Sequence, residues 1–189
     1  MQIAGLTKRM ANNMQVEPTT LPDVFIIKPD VFSDFRGKYL SIHSEKDYDS
    51  LVPDVHFVEW DIATSRKGVF RGIHYSPHCW KIYQCLNGTI YYVFVNCDKN
   101  DPEFGRWASF HLEPFHQLVK HPKYGAGMLA LEDNTILYYA QSQYYNPNDP
   151  DQETFTLRDF PEIFIPNMPL LLSKRDTIGE YEFRCYTKR

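Results

Sequence analysis

Short runs of alternating apolar and polar residues, separated by turn residues, cover most of the chain. Residues 55–62 alternate in this way, and residues 24–28 and 89–95 form similar short runs bounded by Pro, Gly, Asn or Asp. A period of two residues predicts β-strands, whereas helical periodicity is confined to short stretches within residues 44–51 and 173–189. The pattern therefore predicts an all-β sandwich of jelly-roll type with short peripheral helices.

The dipeptide Asn87-Gly88 stands between two apolar runs, residues 82–86 and residues 89–95. Asn-Gly between such runs is the strongest short-range signal for a tight β-hairpin, because both residues accept the positive φ angles of its turn. We therefore expect the two runs to pair as a hairpin.

Residues 69–81 place three charged or titratable side chains, Arg71, His74 and Lys81, among apolar and aromatic neighbours. In a regular strand Arg71 and His74 project to opposite faces, so only a bend at Gly72 would bring both into one pocket. Histidine suits proton transfer near neutral pH, and a nearby lysine can stabilise an oxyanion. The alternative is a hydrogen-bonded histidine with a purely structural role.

The composition narrows the class of protein. The chain has 189 residues and a net charge of -4, with lysines and arginines scattered, which argues against nucleic-acid binding. No apolar run approaches the length of about 20 residues needed to span a membrane, and the N-terminus does not resemble a secretion signal. We expect one domain over residues 1–189, with a polar arm at residues 1–22 and a charged tail at residues 177–189.

The four cysteines, Cys79, Cys85, Cys97 and Cys185, form no C-x-x-C pair and have no histidine partners at the spacing of a zinc finger. Reduced thiols and a cytoplasmic location are therefore expected.

Eight short motifs follow one another along the chain. They are Phe32-x-Asp34-x-Arg36-Gly37, Lys67-Gly68-Val69-x-Arg71-Gly72-x-His74, Lys81, Asn87-Gly88, Pro102-x-Phe104-Gly105-x-Trp107, Leu137-Tyr138, Tyr144-Tyr145-x-Pro147 and Leu172-Ser173-x-x-Asp176. In this order and spacing they resemble the dTDP-4-dehydrorhamnose 3,5-epimerase family of cupin-fold nucleotide-sugar epimerases. The resemblance covers about residues 24–176. It implies a jelly-roll/cupin β-sandwich, also called a double-stranded β-helix.

The resemblance also implies a mechanism by proton transfer next to a ketone, with no metal and no redox cofactor. His74 matches the family's base, Asp176 the carboxylate that orients it, and Tyr138 the acid on the opposite face of the sugar. Lys81 matches the lysine beside the keto oxygen. A core position for Tyr138 and a solvated position for Asp176 are the alternatives.

The same resemblance implies a set of substrate-binding residues. Arg36 and Arg71 match positions that bind the nucleotide diphosphate, although Arg36 also fits an ion pair with Asp34. Glu59 and Asp61 stand where the family usually has an amide pair near the nucleotide and sugar. The remaining substrate-binding positions expected from the resemblance are Ala126, Tyr144, Glu153 and Arg175.

Two departures from the family pattern affect the expected substrate. Gly125-Ala126-Gly127 stands where the family usually has Ala-His-Gly, so the second active-site histidine is absent, and Ser41 stands near the usual position of a glutamate. The smaller Ala126 side chain enlarges the pocket and removes a hydrogen-bond donor. A larger sugar is one consequence, as in the part of the family that acts on GDP-4-keto-heptoses. Reaction at a single carbon or loss of turnover are the others.

These observations predict an epimerase, an isomerase that inverts carbon 3, carbon 5 or both in a nucleotide-diphosphate 4-keto sugar, for a surface polysaccharide. The resemblance implies a homodimer. Two alternatives remain: a cupin sugar ketoisomerase, and a nucleotide-sugar-binding protein without catalytic activity.

Overall fold

The computed structural model describes Lys8, Arg9 and residues 14–178. Cys185 and most of the predicted tail at residues 177–189 lie outside these residues. Fourteen strands and two short helices are present in the described part of the chain: β1 (Lys8–Arg9), β2 (Met14–Pro18), β3 (Phe25–Pro29), β4 (Phe32–Asp34), β5 (Gly37–Tyr39), α1 (Glu45–Asp49), β6 (Glu59–Ser65), β7 (Phe70–Tyr75), β8 (Lys81–Asn87), β9 (Ile90–Asn96), β10 (Trp107–Leu112), β11 (Gln117–Lys120), β12 (Tyr124–Ala130), β13 (Thr135–Gln141), β14 (Glu153–Thr154) and α2 (Lys174–Ile178).

Two antiparallel sheets form a sandwich, as the alternating pattern predicts. One sheet has seven strands in the order β1-β2-β3-β11-β8-β13-β6, and the other has five in the order β10-β9-β12-β7-β14. The strands β4 and β5 form a separate two-stranded hairpin. Part of the predicted N-terminal arm belongs to the larger sheet, because β2 pairs with β3 along its whole length. None of the described helices is long and apolar enough to cross a membrane.

The core between the sheets explains why the strands are so apolar. Tyr83 and Leu137 from the larger sheet pack with Tyr92, Phe94 and Met128 from the smaller one. The other face of β9 is also buried, in a second apolar cluster that lies on the outer side of the smaller sheet. Because β9 is covered on both faces, all seven of its residues are buried.

The predicted hairpin at Asn87-Gly88 is wrong. Strand β8 belongs to the larger sheet and β9 to the smaller one, so this turn carries the chain across the sandwich. Gly88 has φ +78°, and a Cβ at this position would lie 2.5 Å from Oγ1 of Thr135. The positive φ and this close contact require glycine here, although the flanking strands do not pair as a hairpin. An Asn-Gly turn between two apolar runs does not distinguish strands that pair from strands that face each other, since both arrangements bury the runs.

The sequence left open whether the strand bends at Gly72, and the structure has this bend. His74 pairs with Ala126, and Arg71 pairs with Met128. The two partners are three residues apart on β7 but only two residues apart on β12, so β7 contains one extra residue at this point. This β-bulge moves Arg71 and His74 to the same side of the strand. Gly72 has φ +134°, and a Cβ at this position would lie 2.5 Å from the carbonyl oxygen of Ala126.

Replacing Gly72 with alanine is expected to destabilise the protein strongly, because the methyl group meets backbone atoms of β12. Gly37 is a matched control, since it has φ +132° but a Cβ there would meet no atom of the described residues within 4 Å. We expect the free energy of unfolding of Gly72→Ala to be lower than that of Gly37→Ala by about 2 kcal/mol or more. Urea denaturation of the two variants measures this difference, and equal stabilities would contradict the close approach at Gly72.

Candidate active site

A cavity of about 460 Å³ opens between the two sheets. The larger sheet contributes residues of β6, β8 and β13 to its walls, and the smaller sheet contributes residues of β7, β9 and β12. Among the residues that line it are Glu59, Asp61, Arg71, His74, Lys81, Tyr92, Ala126, Met128, Tyr139, Gln141, Tyr145 and Arg175. Seven of the twelve side chains predicted from the sequence therefore lie around one space: Glu59, Asp61, Arg71, His74, Lys81, Ala126 and Arg175.

His74 forms the central polar contact of this cavity. Its Nε2 lies 2.8 Å from Oδ1 of Asp176, a side chain that is itself buried. An ionised carboxylate only accepts hydrogen bonds, so Nε2 carries the proton and Nδ1 keeps the lone pair. Burial lowers the pKa of His74, and the positive charges of Arg175 and Lys81 act in the same direction, against the opposing effect of Asp176. The imidazole is therefore neutral at neutral pH and able to accept a proton.

Three donors hold the carboxylate of Asp176. Besides His74, the backbone N–H of Gly72 donates to Oδ1 at 3.1 Å, and the hydroxyl of Ser173 donates to Oδ2 at 2.6 Å. Burial alone would raise the pKa of Asp176, but the hydrogen bonds and the proximity of His74 outweigh it and hold the pKa below its ordinary value. Asp176 is thus an ionised partner that fixes the ring of His74.

Three cations surround the same space. Arg71 extends from β7, and its guanidinium is near Ser65 and the carbonyl of Thr64. Arg175 extends from α2, and its Nε donates to the hydroxyl of Thr154 at 2.8 Å. The third cation is Lys81, the first residue of β8, and burial lowers the pKa of its side chain. A ligand that carries negative charge suits such a cavity.

The structure places Tyr138 outside the cavity, contrary to the sequence prediction. Its ring stacks on Trp60 at a centroid distance of 5.3 Å, on the outer face of the larger sheet. The next residue, Tyr139, lines the cavity instead. Side chains of a strand alternate between faces, so a shift of one residue exchanges inside and outside. Pairing within the sheet identifies the inner residues, because Tyr139 is the register partner of Asp61.

Glu59 and Asp61 lie on one face of β6, as the sequence predicts, and both join a hydrogen-bond network. Nε2 of Gln141 donates to Glu59 at 2.9 Å and to Asp61 at 3.4 Å. Glu59 also accepts from the backbone N–H of Tyr145 at 2.9 Å. Asp61 accepts a hydrogen bond from the phenol of Tyr139. Sequence reasoning missed Gln141, although its place opposite Glu59 follows once the register of β13 is known.

Three predicted substrate-binding residues lie away from the cavity. Arg36 sits on the β4–β5 hairpin, where it pairs with Asp34 at 2.6 Å and borders a separate cleft of about 530 Å³. Tyr144 is 75% exposed, and its neighbour Tyr145 lines the cavity instead. Glu153 pairs with Lys99 at 2.6 Å and borders a different surface cleft. The ion pair of Arg36 with Asp34 agrees with the alternative that the sequence left open.

Known proteins are similar to this chain in sequence and in fold. The model of the dTDP-4-dehydrorhamnose 3,5-epimerase family matches residues 18–181. The enzyme of that name from Shigella flexneri is 33% identical over 139 residues, which are 70% of this chain and 77% of that protein. The one from Neisseria gonorrhoeae is 31% identical over 88% of this chain, which spans only 52% of that protein's length.

A solved epimerase structure is similar to this chain in fold. The dTDP-6-deoxy-D-glucose-3,5-epimerase of Legionella pneumophila, in complex with dTDP-4-keto-L-rhamnose, superposes with a TM-score of 0.81 at 26% identity. The match covers 87% of this chain and 90% of that protein. The jelly-roll/cupin fold inferred from the motifs is thereby confirmed.

Replacing Asp61 with asparagine is expected to lower the pKa of Tyr139. Burial raises this pKa above its ordinary value of about 10, and the charge and hydrogen bond of Asp61 raise it further. A neutral amide removes the second contribution and leaves the first. The titration midpoint of Tyr139 is measurable by fluorine NMR of protein containing 3-fluorotyrosine, with the resonance identified by its loss in Tyr139→Phe.

Glu59→Gln is the matched control, because Glu59 lies on the same face of β6 but its carboxylate contacts Gln141 and Tyr145. We expect it to change the midpoint less than Asp61→Asn does. Equal midpoints in Asp61→Asn and the parent protein would show that Asp61 does not hold the phenol protonated.

Proposed function

Because this chain belongs to the dTDP-4-dehydrorhamnose 3,5-epimerase family, whose members are isomerases, we propose that it inverts carbon 3, carbon 5 or both of a nucleotide-diphosphate 4-keto sugar. The observation that carries the proposal is the pair of His74 and Asp176 in a cavity whose opposite wall holds Lys81 and Tyr139. This arrangement contains a base, an oxyanion stabiliser and an acid.

His74 begins the reaction. Its neutral imidazole takes a proton through Nδ1 from the carbon next to the ketone, and the electron pair of the broken C–H bond forms the enolate. The imidazolium that results is stabilised by the ionised Asp176, which holds Nε2 at 2.8 Å. Because Ser173 and Gly72 also donate to this carboxylate, the ring keeps one orientation during the transfer.

The enolate oxygen needs a positive partner, and Lys81 supplies it from β8. Tyr139 then returns a proton to the same carbon from the other side. His74 belongs to the smaller sheet and Tyr139 to the larger one, so the two proton carriers face a bound sugar from opposite walls. Removal on one face and return on the other inverts the carbon. In this proposal Tyr139 takes the role that the sequence assigned to Tyr138.

The relatives indicate the class of sugar. The Legionella structure contains dTDP-4-keto-L-rhamnose, and we propose a 4-keto-6-deoxy sugar as the substrate class here. Ala126 leaves more room beside His74 than the family's usual histidine, which supports a GDP-linked 4-keto-heptose as a second candidate. In either case the product would serve the synthesis of a surface polysaccharide in the cytoplasm.

We also propose that the protein is a homodimer in which Arg36 serves the partner's cavity. Arg36 lies outside the cavity of its own chain, on a hairpin whose neighbouring Phe35 is 98% exposed. A guanidinium binds a diphosphate well, and a second copy of the hairpin would bring it there. Dimerisation would also cover the exposed apolar tip of the hairpin.

The central experiment follows each reaction step by proton NMR in deuterated water with dTDP- and GDP-linked 4-keto-6-deoxyhexoses and a GDP-linked 4-keto-heptose. His74→Ala is expected to lose deuterium uptake at carbon 3 or 5 by at least about a hundredfold, because no base forms the enolate. Tyr139→Phe is expected to lose inversion to a similar extent but to keep exchange on the original face. Tyr138→Phe, on the outer face, serves as the control with near-parental turnover.

The same spectra separate the alternatives. Inversion that depends on Tyr138 and not on Tyr139 would contradict the assigned roles. A product in which the carbonyl has moved along the ring would identify a sugar ketoisomerase. Binding without deuterium uptake by the parent protein would identify a nucleotide-sugar-binding protein.

Mixing two inactive variants tests the role of Arg36. If Arg36 acts in the partner's cavity, a mixed dimer of His74→Ala and Arg36→Ala chains has one intact site. Random exchange of subunits should then restore about a quarter of parental activity. Activity that stays at the level of the separate variants, despite exchange shown by native mass spectrometry, would place Arg36 in its own chain's site or outside any site.

A further inference from the structure

Tyr92 lies in the wall of the cavity and has no role in the mechanism above. It belongs to β9, is 1% exposed, and lines the cavity together with Ala126 and Met128. Met128 is its register partner on β12. Ala126 lies two residues before Met128 on β12 and is the register partner of His74. Tyr92 is therefore part of the same wall as the base.

The hydroxyl of Tyr92 is buried and has no hydrogen-bond partner among the residues that the structure describes. Buried hydroxyl groups in folded proteins nearly always have a partner, because losing water without replacing it is unfavourable. The ring of Tyr92 is well packed, with the ring of Tyr83 at a centroid distance of 4.9 Å and that of Phe94 at 5.7 Å. Phenylalanine would provide the same packing, so the fold itself does not explain the hydroxyl.

The surroundings of Tyr92 keep its hydroxyl protonated, so that it can donate a hydrogen bond. Burial raises the pKa of Tyr92 well above its ordinary value, and the neighbouring Tyr83, Tyr139 and Cys85 raise it further, whereas Arg71 opposes them. The phenol is therefore protonated at neutral pH. A ligand oxygen beside Tyr92 would find a hydrogen-bond donor there.

We propose that the hydroxyl of Tyr92 binds the substrate, donating a hydrogen bond to an oxygen of a sugar bound in the cavity. It provides a polar contact that the neighbouring methyl group of Ala126 cannot make. The inference rests on the proposed function, since it assigns the occupant of this part of the cavity as the sugar of a nucleotide sugar.

The test compares Tyr92→Phe with the parent sequence, both in a His74→Ala background so that the ligand is not turned over. Calorimetric titrations use dTDP, GDP and the 4-keto-6-deoxyhexose linked to each. Loss of one hydrogen bond to an uncharged oxygen should weaken binding of the nucleotide sugar by about tenfold and leave binding of the free nucleoside diphosphate unchanged. Thermal unfolding without ligand should show equal or higher stability for Tyr92→Phe, because the variant lacks an unpaired buried hydroxyl.

Tyr124→Phe is the matched control, since Tyr124 is equally buried in the same core but lies outside the cavity. It should bind each ligand as the parent does. Unchanged binding of the nucleotide sugar by Tyr92→Phe would overturn the inference while leaving the proposed function intact, and so would a loss of stability of the free protein. If the parent bound none of the nucleotide sugars, the proposed function would fail and the inference with it.

Discussion

The carboxylate of Asp176 joins parts of the chain that are more than 100 residues apart in sequence. It accepts hydrogen bonds from His74 and Gly72 on β7 and from Ser173 at the start of α2. The same contacts orient the proposed base and hold the bulge of β7 in place. Because all three donors are satisfied by one buried anion, loss of that charge would disturb the strand, the helix and the site together.

The sandwich architecture separates the groups that the proposed chemistry must keep apart. A base and an acid in direct contact would hydrogen-bond to each other and leave no room for a sugar between them, whereas here they project from different sheets into a shared space. His74 is held by Asp176, and Tyr139 is held by Asp61, so each proton carrier has its own carboxylate. The two carboxylates have opposite consequences. Asp176 supports the positive charge that His74 gains, while Asp61 favours the neutral form of Tyr139.

Much of this arrangement could be predicted from the sequence because it depends on local rules. Alternation predicted the strands, and it indicated that only a bend at Gly72 would bring Arg71 and His74 into one pocket. The resemblance to a known family selected Asp176 as the partner of His74 across about 100 residues, which periodicity alone cannot do. The face shared by Glu59 and Asp61 also followed from a period of two.

The sequence by itself thus determined the strand-rich class and the one position, Gly72, where a bend could occur, because both follow from backbone sterics within a few residues. The family resemblance then selected His74 as the proposed base. Tertiary structure decided whether Tyr138 or Tyr139 faces the cavity, that Asn87-Gly88 crosses between sheets, and that Arg36 lies outside its own chain's cavity. Each of these depends on which strands pair and in which register. Pairing is set by the burial of whole sheets against each other, and a shift of one residue reverses every side chain without changing the local pattern.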